Sequence, residues 1–108
     1  MAWLLLSLAG VLEIAFAYFM KSSEGFSRLV PAVLTVAFGL ASVTMLSFSL
    51  RSLPVGTGYA VWTGIGAAGT ALVGMVLLGE SAQPARLLCL ALILLGVVGL
   101  KLVPVTPA

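Results

Sequence analysis

The sequence predicts an all-α integral membrane protein with four transmembrane helices per subunit and an antiparallel, dual-topology dimer. Two observations predict the membrane class: 62% of the 108 residues are hydrophobic, and the mean hydropathy is +1.29. Only 7% of the residues are charged, whereas soluble domains carry roughly 25%. The near balance of Lys and Arg between the two sides of the membrane permits an antiparallel dimer.

Composition also excludes several classes of function. The net charge of +2 is too small and too dispersed for a nucleic-acid partner, which needs a clustered basic face. With no histidine and the single cysteine Cys89, we expect neither a metal site nor a cofactor. No nucleophile is paired with a base, so enzyme activity has no support. The first apolar run begins without Lys or Arg and is expected to stay in the mature protein.

Four apolar runs define the elements, and together they predict a single domain over residues 1–108. A bilayer core about 30 Å thick needs roughly 20 apolar residues per helix. The runs are too long for barrel strands and lack alternation, so we expect helices, which satisfy their own backbone hydrogen bonds. Short polar breaks with Gly or Pro separate them. The predicted spans are 2–20, 28–50, 55–78 and 85–103.

The first helix contains Glu13, the only acid within a predicted span. An ionisable side chain at mid-membrane costs at least ~2.5–3.5 kcal/mol on insertion scales, and no basic residue lies at that depth to neutralise it. A site that binds a proton or a cation is one interpretation; a structural acid paired with a partner helix is the other. Gly10 and Phe16 lie one helical turn away on the same face, and we predict that they line a pocket beside the acid.

The second and third helices supply the other predicted pocket residues. Ser42 lies near the middle of the second span, although a hydroxyl bonded to its own helix explains it equally well. On the third helix, Tyr59, Trp62 and Thr63 share one face, and aromatic faces attract cations. An aromatic belt at the membrane surface is the alternative, and it fits Tyr59 better than Trp62.

Small residues on the third and fourth helices predict close helix contacts, because they let backbones approach in lipid. Gly66, Thr70 and Gly74 are spaced four apart on the third helix, and Cys89 and Gly96 seven apart on the fourth. Contact between subunits and packing within one subunit remain equally open for both sets.

Loop charges leave the orientation in the membrane undetermined. One side has Lys21, Arg28 and Arg86; the other has Arg51, Lys101 and the amino terminus. Because Lys and Arg set insertion direction, this balance permits both orientations and so an antiparallel homodimer. Such a pair reproduces the inverted symmetry of many transporters.

Two segments carry a family resemblance, together with Glu13: Lys21 to Pro31, and Leu53 to Gly66 with its Tyr-Ala-Val-Trp stretch. They resemble the small multidrug resistance transporters, and the similarity covers essentially the whole chain. It implies an antiparallel dimer in the bacterial inner membrane that exchanges protons for small cations by alternating access. It also implies that Glu13 binds both substrate and proton, and that Ser42, Tyr59 and Trp62 line the pocket and hydrogen-bond or gate the acid.

Within that family, Gly10 and the run from Trp62 to Ala67 look like the guanidinium-exporting branch. Phe16 departs from that branch, which usually has Trp there, so an indole N–H donor is missing. Guanidinium matches a carboxylate through two hydrogen bonds; quaternary ammonium export, which needs aromatic area instead, is the alternative. A subunit of an obligate heterodimer, a non-transporting accessory protein and a passive channel are further alternatives.

Overall fold

Four long helices form the protein in a computed structural model that describes residues 1–103. They are α1 (Ala2–Ser22), α2 (Leu29–Ser49), α3 (Val55–Leu77) and α4 (Pro84–Leu102). Each is long and apolar enough to cross a membrane, since ~20 residues at 1.5 Å per residue extend about 30 Å. The prediction of four membrane-spanning helices is confirmed.

The first connection reverses the chain through three successive residues with positive φ. These are Glu24 (φ 50°), Gly25 (φ 74°) and Phe26 (φ 65°). Ser23 anchors the turn: its hydroxyl donates to the Met20 carbonyl at 2.7 Å and accepts from the Phe26 amide at 3.1 Å. Only glycine adopts this region without steric cost, so the serine contacts stabilise two residues that do not favour it.

Proline and glycine lie at both ends of α3 and at the start of α4. Pro54 immediately precedes α3, and Pro84 is the first residue of α4, a position where proline's missing amide is harmless. After α3, Gly79 adopts φ 70°. The Gly74 carbonyl then accepts both the Leu78 and the Glu80 amides, at 3.1 and 3.0 Å, which turns the chain back toward α3.

The helices pack around α1 and α3. The α1 backbone lies close to α2 and α3, whereas the α4 backbone approaches that of α3 alone among the described residues. Glycines allow the close approaches: a Cβ on Gly10 would lie 2.6 Å from Ile65 Cγ2, and one on Gly64 would lie 2.5 Å from Val97 Cγ2. Such contacts between backbone and side chain are how helices associate in lipid.

Buried hydroxyl groups all find backbone partners. Ser23, Thr35, Ser42 and Ser49 are buried, and each donates to a carbonyl oxygen at 2.7 Å. This matters in a bilayer, because an unsatisfied polar group in hydrocarbon costs several kcal/mol. Three of the acceptors lie within four residues of the donor; only Ser42 reaches another helix.

Both ends of the described chain lie on the same side of the bundle. The Lys101 ammonium, in the last turn of α4, lies 5.8 Å from the centre of the Trp3 ring in the first turn of α1. The rest of α4 is open, since no residue of this helix is buried in the single subunit.

Candidate functional site

A groove of about 550 Å³ runs between α1 and α3, and we call it the α1–α3 groove. Glu13 lies at its inner part with Tyr59, Trp62 and Thr63. At its outer end it reaches the connection between α3 and α4. Several of the side chains that the sequence predicts for a cation pocket therefore line the α1–α3 groove.

Gly66 determines where the Glu13 side chain lies. A Cβ on Gly66 would lie 2.6 Å from Glu13 Cγ and 3.2 Å from its Cβ, so the acid's side chain lies directly on the α3 backbone. Any larger residue at this position would displace it. Close packing of α1 on α3 thus fixes where the carboxyl group can be.

A second cavity, of about 370 Å³, lies on the other side of Glu13 between α1 and α2. We call it the α1–α2 cavity. Phe16 and Trp62 line it together with Glu13, and Phe16 packs so closely on Gly39 that a Cβ there would lie 2.9 Å from the ring. Glu13 and Trp62 line both spaces, so they stand between them.

A chain of hydrogen bonds connects the three helices beside Glu13. The Trp62 indole N–H donates to the Ser42 hydroxyl at 2.9 Å, and that hydroxyl donates to the Ala9 carbonyl at 2.7 Å. Sequence reasoning left open whether Ser42 bonds to its own helix; the structure places its acceptor on α1. The chain fixes the indole, so Trp62 presents a rigid ring face to the site.

The aromatic pair of α3 is in contact. The Tyr59 and Trp62 rings have centroids 5.3 Å apart and planes inclined by 56°. Tyr59 is 55% exposed in the single subunit, so much of this residue is open to a ligand or to a second protein chain. A cation on these rings would gain about 0.5–2 kcal/mol.

Other predicted residues fall in three places. Thr70 and Gly74 line the α1–α3 groove below Gly66. Gly10 is buried against Ile65 at the contact between α1 and α3. There it allows the two helices to approach closely and does not line the pocket. Cys89 and Gly96 are exposed on α4, and no side chain of the described residues lies within 4 Å of a Cβ built on Gly96. Their assignment to a subunit contact stays a prediction.

Sequence reasoning missed the four polar or charged side chains Tyr18, Lys21, Glu80 and Arg86, which line the groove. Tyr18 carried no spacing signal, because five residues along an α-helix rotate it about 140° away from Glu13. Lys21, Glu80 and Arg86 looked like ordinary loop charges, and only the folding back of the chain after α3 brings the latter two to the groove.

The arrangement suits an organic cation better than a metal ion. Within residues 1–103 no three His, Cys, Asp or Glu side chains come together as metal ligands. One carboxylate with two aromatic faces and hydroxyl groups offers charge neutralisation, cation–π attraction and hydrogen bonding. Those are the interactions that a small, weakly hydrated cation requires.

Comparison with known proteins identifies the family. The family model described as Small Multidrug Resistance protein matches residues 1–93. Proteins named guanidinium exporter from Citrobacter freundii and Salmonella typhimurium are each 56% identical over 102 residues, which cover 94% of this chain and 97% of theirs. The guanidinium exporter of Escherichia coli strain K12 is 57% identical with the same coverage. The chain therefore belongs to the small multidrug resistance family, as a multi-pass transport protein of the bacterial inner membrane.

Proposed function

We propose that this chain exports guanidinium in exchange for protons, as an antiparallel homodimer in which Glu13 binds both. The observation that carries the proposal is the position of Glu13 between the α1–α3 groove and the α1–α2 cavity. It is the only acidic residue within the four helices. Relatives that share more than half of their residues with this chain are named guanidinium exporters, which supports this substrate.

The chemistry of the site fits guanidinium. This planar cation offers parallel N–H pairs that match the two oxygens of a carboxylate. The fixed Trp62 ring and the adjacent Tyr59 ring supply aromatic surface for the faces of the cation. Thr63, exposed in the groove, supplies a further acceptor oxygen.

Exchange follows from competition for one group. A carboxylate that holds a guanidinium is ionised, and a carboxylate that holds a proton has lost most of its attraction for the cation. Loading guanidinium from one side therefore releases a proton, and protonation from the other side releases guanidinium. Binding of guanidinium to the purified protein is accordingly expected to weaken as the pH is lowered.

The antiparallel homodimer is proposed because one subunit leaves the site open. The α1–α3 groove lacks a cover in the single subunit, where Tyr59 is largely exposed. A second copy inserted in the opposite direction would close the groove and bring a second Glu13 to it. Cys89 and Gly96 lie on the exposed surface of α4, which favours this helix as the seam.

Export of quaternary ammonium ions is the second candidate function. Phe16, at the wall of the α1–α2 cavity, offers aromatic area without an N–H donor. A tetra-alkyl ammonium ion forms no classical hydrogen bond and binds through such surfaces. The same Glu13 exchange would drive it.

Proton-coupled currents from liposomes on a solid-supported membrane test the proposal. We expect guanidinium to evoke currents that Glu13→Gln abolishes while dimers persist in detergent. Glu24→Gln is the matched control, because it removes an acid from the first connection, outside the helices, and should transport normally.

Other results would redirect or defeat the proposal. Currents only with a tetra-alkyl ammonium would establish the second candidate. Guanidinium currents retained in Glu13→Gln would refute the role of the acid. No current with either ion, from dimeric protein, would favour an obligate second subunit or an accessory role.

A further inference from the structure

The outer end of the α1–α3 groove carries an ion pair that the exchange at Glu13 does not use. Arg86, in the first turn of α4, donates from Nη2 to Glu80 Oε1 at 2.9 Å and from Nη1 to the Ser81 carbonyl at 2.9 Å. Both charged residues line the same groove as Glu13. The carboxylate at the mouth of the groove is thus already occupied by a guanidinium group, that of the protein itself.

Helix α3 connects the two carboxylates by a path of small residues. Glu13 lies on Gly66, and the Glu80 carboxyl group lies on Gly74, where a Cβ would be 2.7 Å from Glu80 Cδ. Gly66 and Gly74 are eight residues apart, or about 12 Å along the helix axis. Thr70 lies midway between them on the groove wall.

We propose that Glu80 is an outer binding site for the guanidinium cation, which displaces Arg86 there before it moves along the groove to Glu13. This inference rests on the proposed function, because it assigns the path of the same substrate. Glu80 is then a specificity-determining residue of the entrance.

The geometry of the pair makes exchange feasible. Arg86 engages one carboxylate oxygen and divides its donors between Glu80 and Ser81, whereas a free guanidinium can bind both oxygens of Glu80 in parallel. The side chains of Arg86 and Glu80 are 35% and 41% exposed, and ion pairs with such exposure are weak. Substrate can therefore compete with the arginine.

Charge at the groove mouth gives a second reason. Lys21 and Arg86 place two positive charges there, which repel an incoming cation. Glu80 offsets one of them. Removal of Glu80 leaves both cations uncompensated, whereas removal of Arg86 leaves an open carboxylate, so the two substitutions have opposite effects on capture of the substrate.

Transport kinetics distinguish this role from a structural clamp. We expect Glu80→Gln to raise the KM for guanidinium on the order of fivefold, as the loss of one contact charge in a water-like medium predicts, and to leave the maximal rate nearly unchanged. Arg86→Gln should lower the KM. Arg28→Gln is the matched control, because Arg28 lies in the first connection and does not line the groove; its KM should equal that of the wild type.

If the Glu80–Arg86 ion pair only holds the α3–α4 connection in place, a different pattern of kinetic effects is expected. Glu80→Gln and Arg86→Gln would then impair transport in the same direction, chiefly in the maximal rate. That result would overturn the proposal, as would an unchanged KM in both variants with normal wild-type currents.

A binding measurement separates this proposal from the function of Glu13. In detergent, Glu13→Gln combined with Arg86→Gln should retain weak guanidinium chloride binding by calorimetry at constant ionic strength, and addition of Glu80→Gln should remove it. Equal binding with and without Glu80 would refute the outer site. A wild-type protein that transports no guanidinium would refute the proposed function, while this comparison would still decide the Glu80 site.

Discussion

Ser42 holds the site in one arrangement, because its single hydroxyl group connects α2 to both α3 and α1. It accepts from Trp62 and donates to Ala9 while fully buried. The bond from Trp62 is the only side-chain to side-chain hydrogen bond near Glu13 in residues 1–103. The orientation of the Trp62 ring therefore follows from a residue that need not contact the substrate.

We expect Ser42→Ala to lower the free energy of unfolding by about 1–3 kcal/mol, because the Trp62 indole N–H loses its partner in a low-dielectric setting. The midpoint temperature of thermal unfolding in detergent, followed by circular dichroism, should fall accordingly. Ser47→Ala is the control, since Ser47 is exposed on the same helix, and it should unfold like the wild type. Equal midpoints for the two variants would contradict the assignment.

The sequence made Glu13 identifiable, because a lone acid in an apolar helix has few explanations. It could not decide the partner of Ser42, since a serine hydroxyl reaches the carbonyl of its own helix or that of a neighbour with equal ease. Only the approach of α1, which depends on contacts far along the chain, chooses between them. Glu80 was missed for a similar reason: its place at the groove depends on the turn after Gly79.

At the scale of elements, α3 is the organising helix. Gly66 and Gly74 accept side chains from α1 and from the α3–α4 connection, while Gly64 accepts Val97 of α4. One face of α3 thus holds the acid and the outer carboxylate, and another face holds the fourth helix. A stripe of small residues predicted from spacing alone as packing surface also serves as a wall of the groove.

We expect Gly66→Ala to reduce guanidinium transport on the order of tenfold, because the new Cβ would collide with Glu13 Cγ and displacements near 1 Å are costly at a binding site. Initial rates of uptake into proteoliposomes measure it. Gly56→Ala, on the same helix with no neighbour within 4 Å, should match the wild type. Normal transport by Gly66→Ala would mean that Glu13 adapts its position freely.

The helix boundaries were well predicted from the sequence, because apolar runs between Pro, Gly and charged residues leave little choice of where a helix can end. The arrangement of the helices was not. Hydropathy is uniform around each helix, so no amphipathic stripe indicates which face meets a neighbour. Which glycine receives which side chain depends on shape, and composition does not encode it.

At the scale of the whole molecule, the balance of Lys and Arg between the two sides affects the direction in which each copy inserts into the membrane. We expect an impermeant maleimide to label about half of the molecules in intact cells at Ser52→Cys, and about half at Gln83→Cys, because balanced Lys and Arg permit both insertions. Cys89→Ala is the background that removes the native thiol. Ser52 and Gln83 lie in connections on opposite sides of the bundle.

The outcome of labelling is unambiguous. Complete labelling at one site and none at the other would show a single orientation and exclude an antiparallel pair built from this chain alone. Permeabilised cells provide the control, since both cysteines should then react fully.

The proximity of Lys101 to Trp3 has a consequence for protein engineering. Since both ends of the described chain emerge on one side, a short peptide that fuses two copies in tandem would insert both in the same direction. A covalently linked antiparallel pair requires the linker itself to cross the bilayer, as one further apolar helix of about 20 residues. The linker in a genetic fusion thus sets the relative orientation of the two copies. A linker that does not cross the membrane gives parallel copies, and a linker that crosses it once gives antiparallel copies.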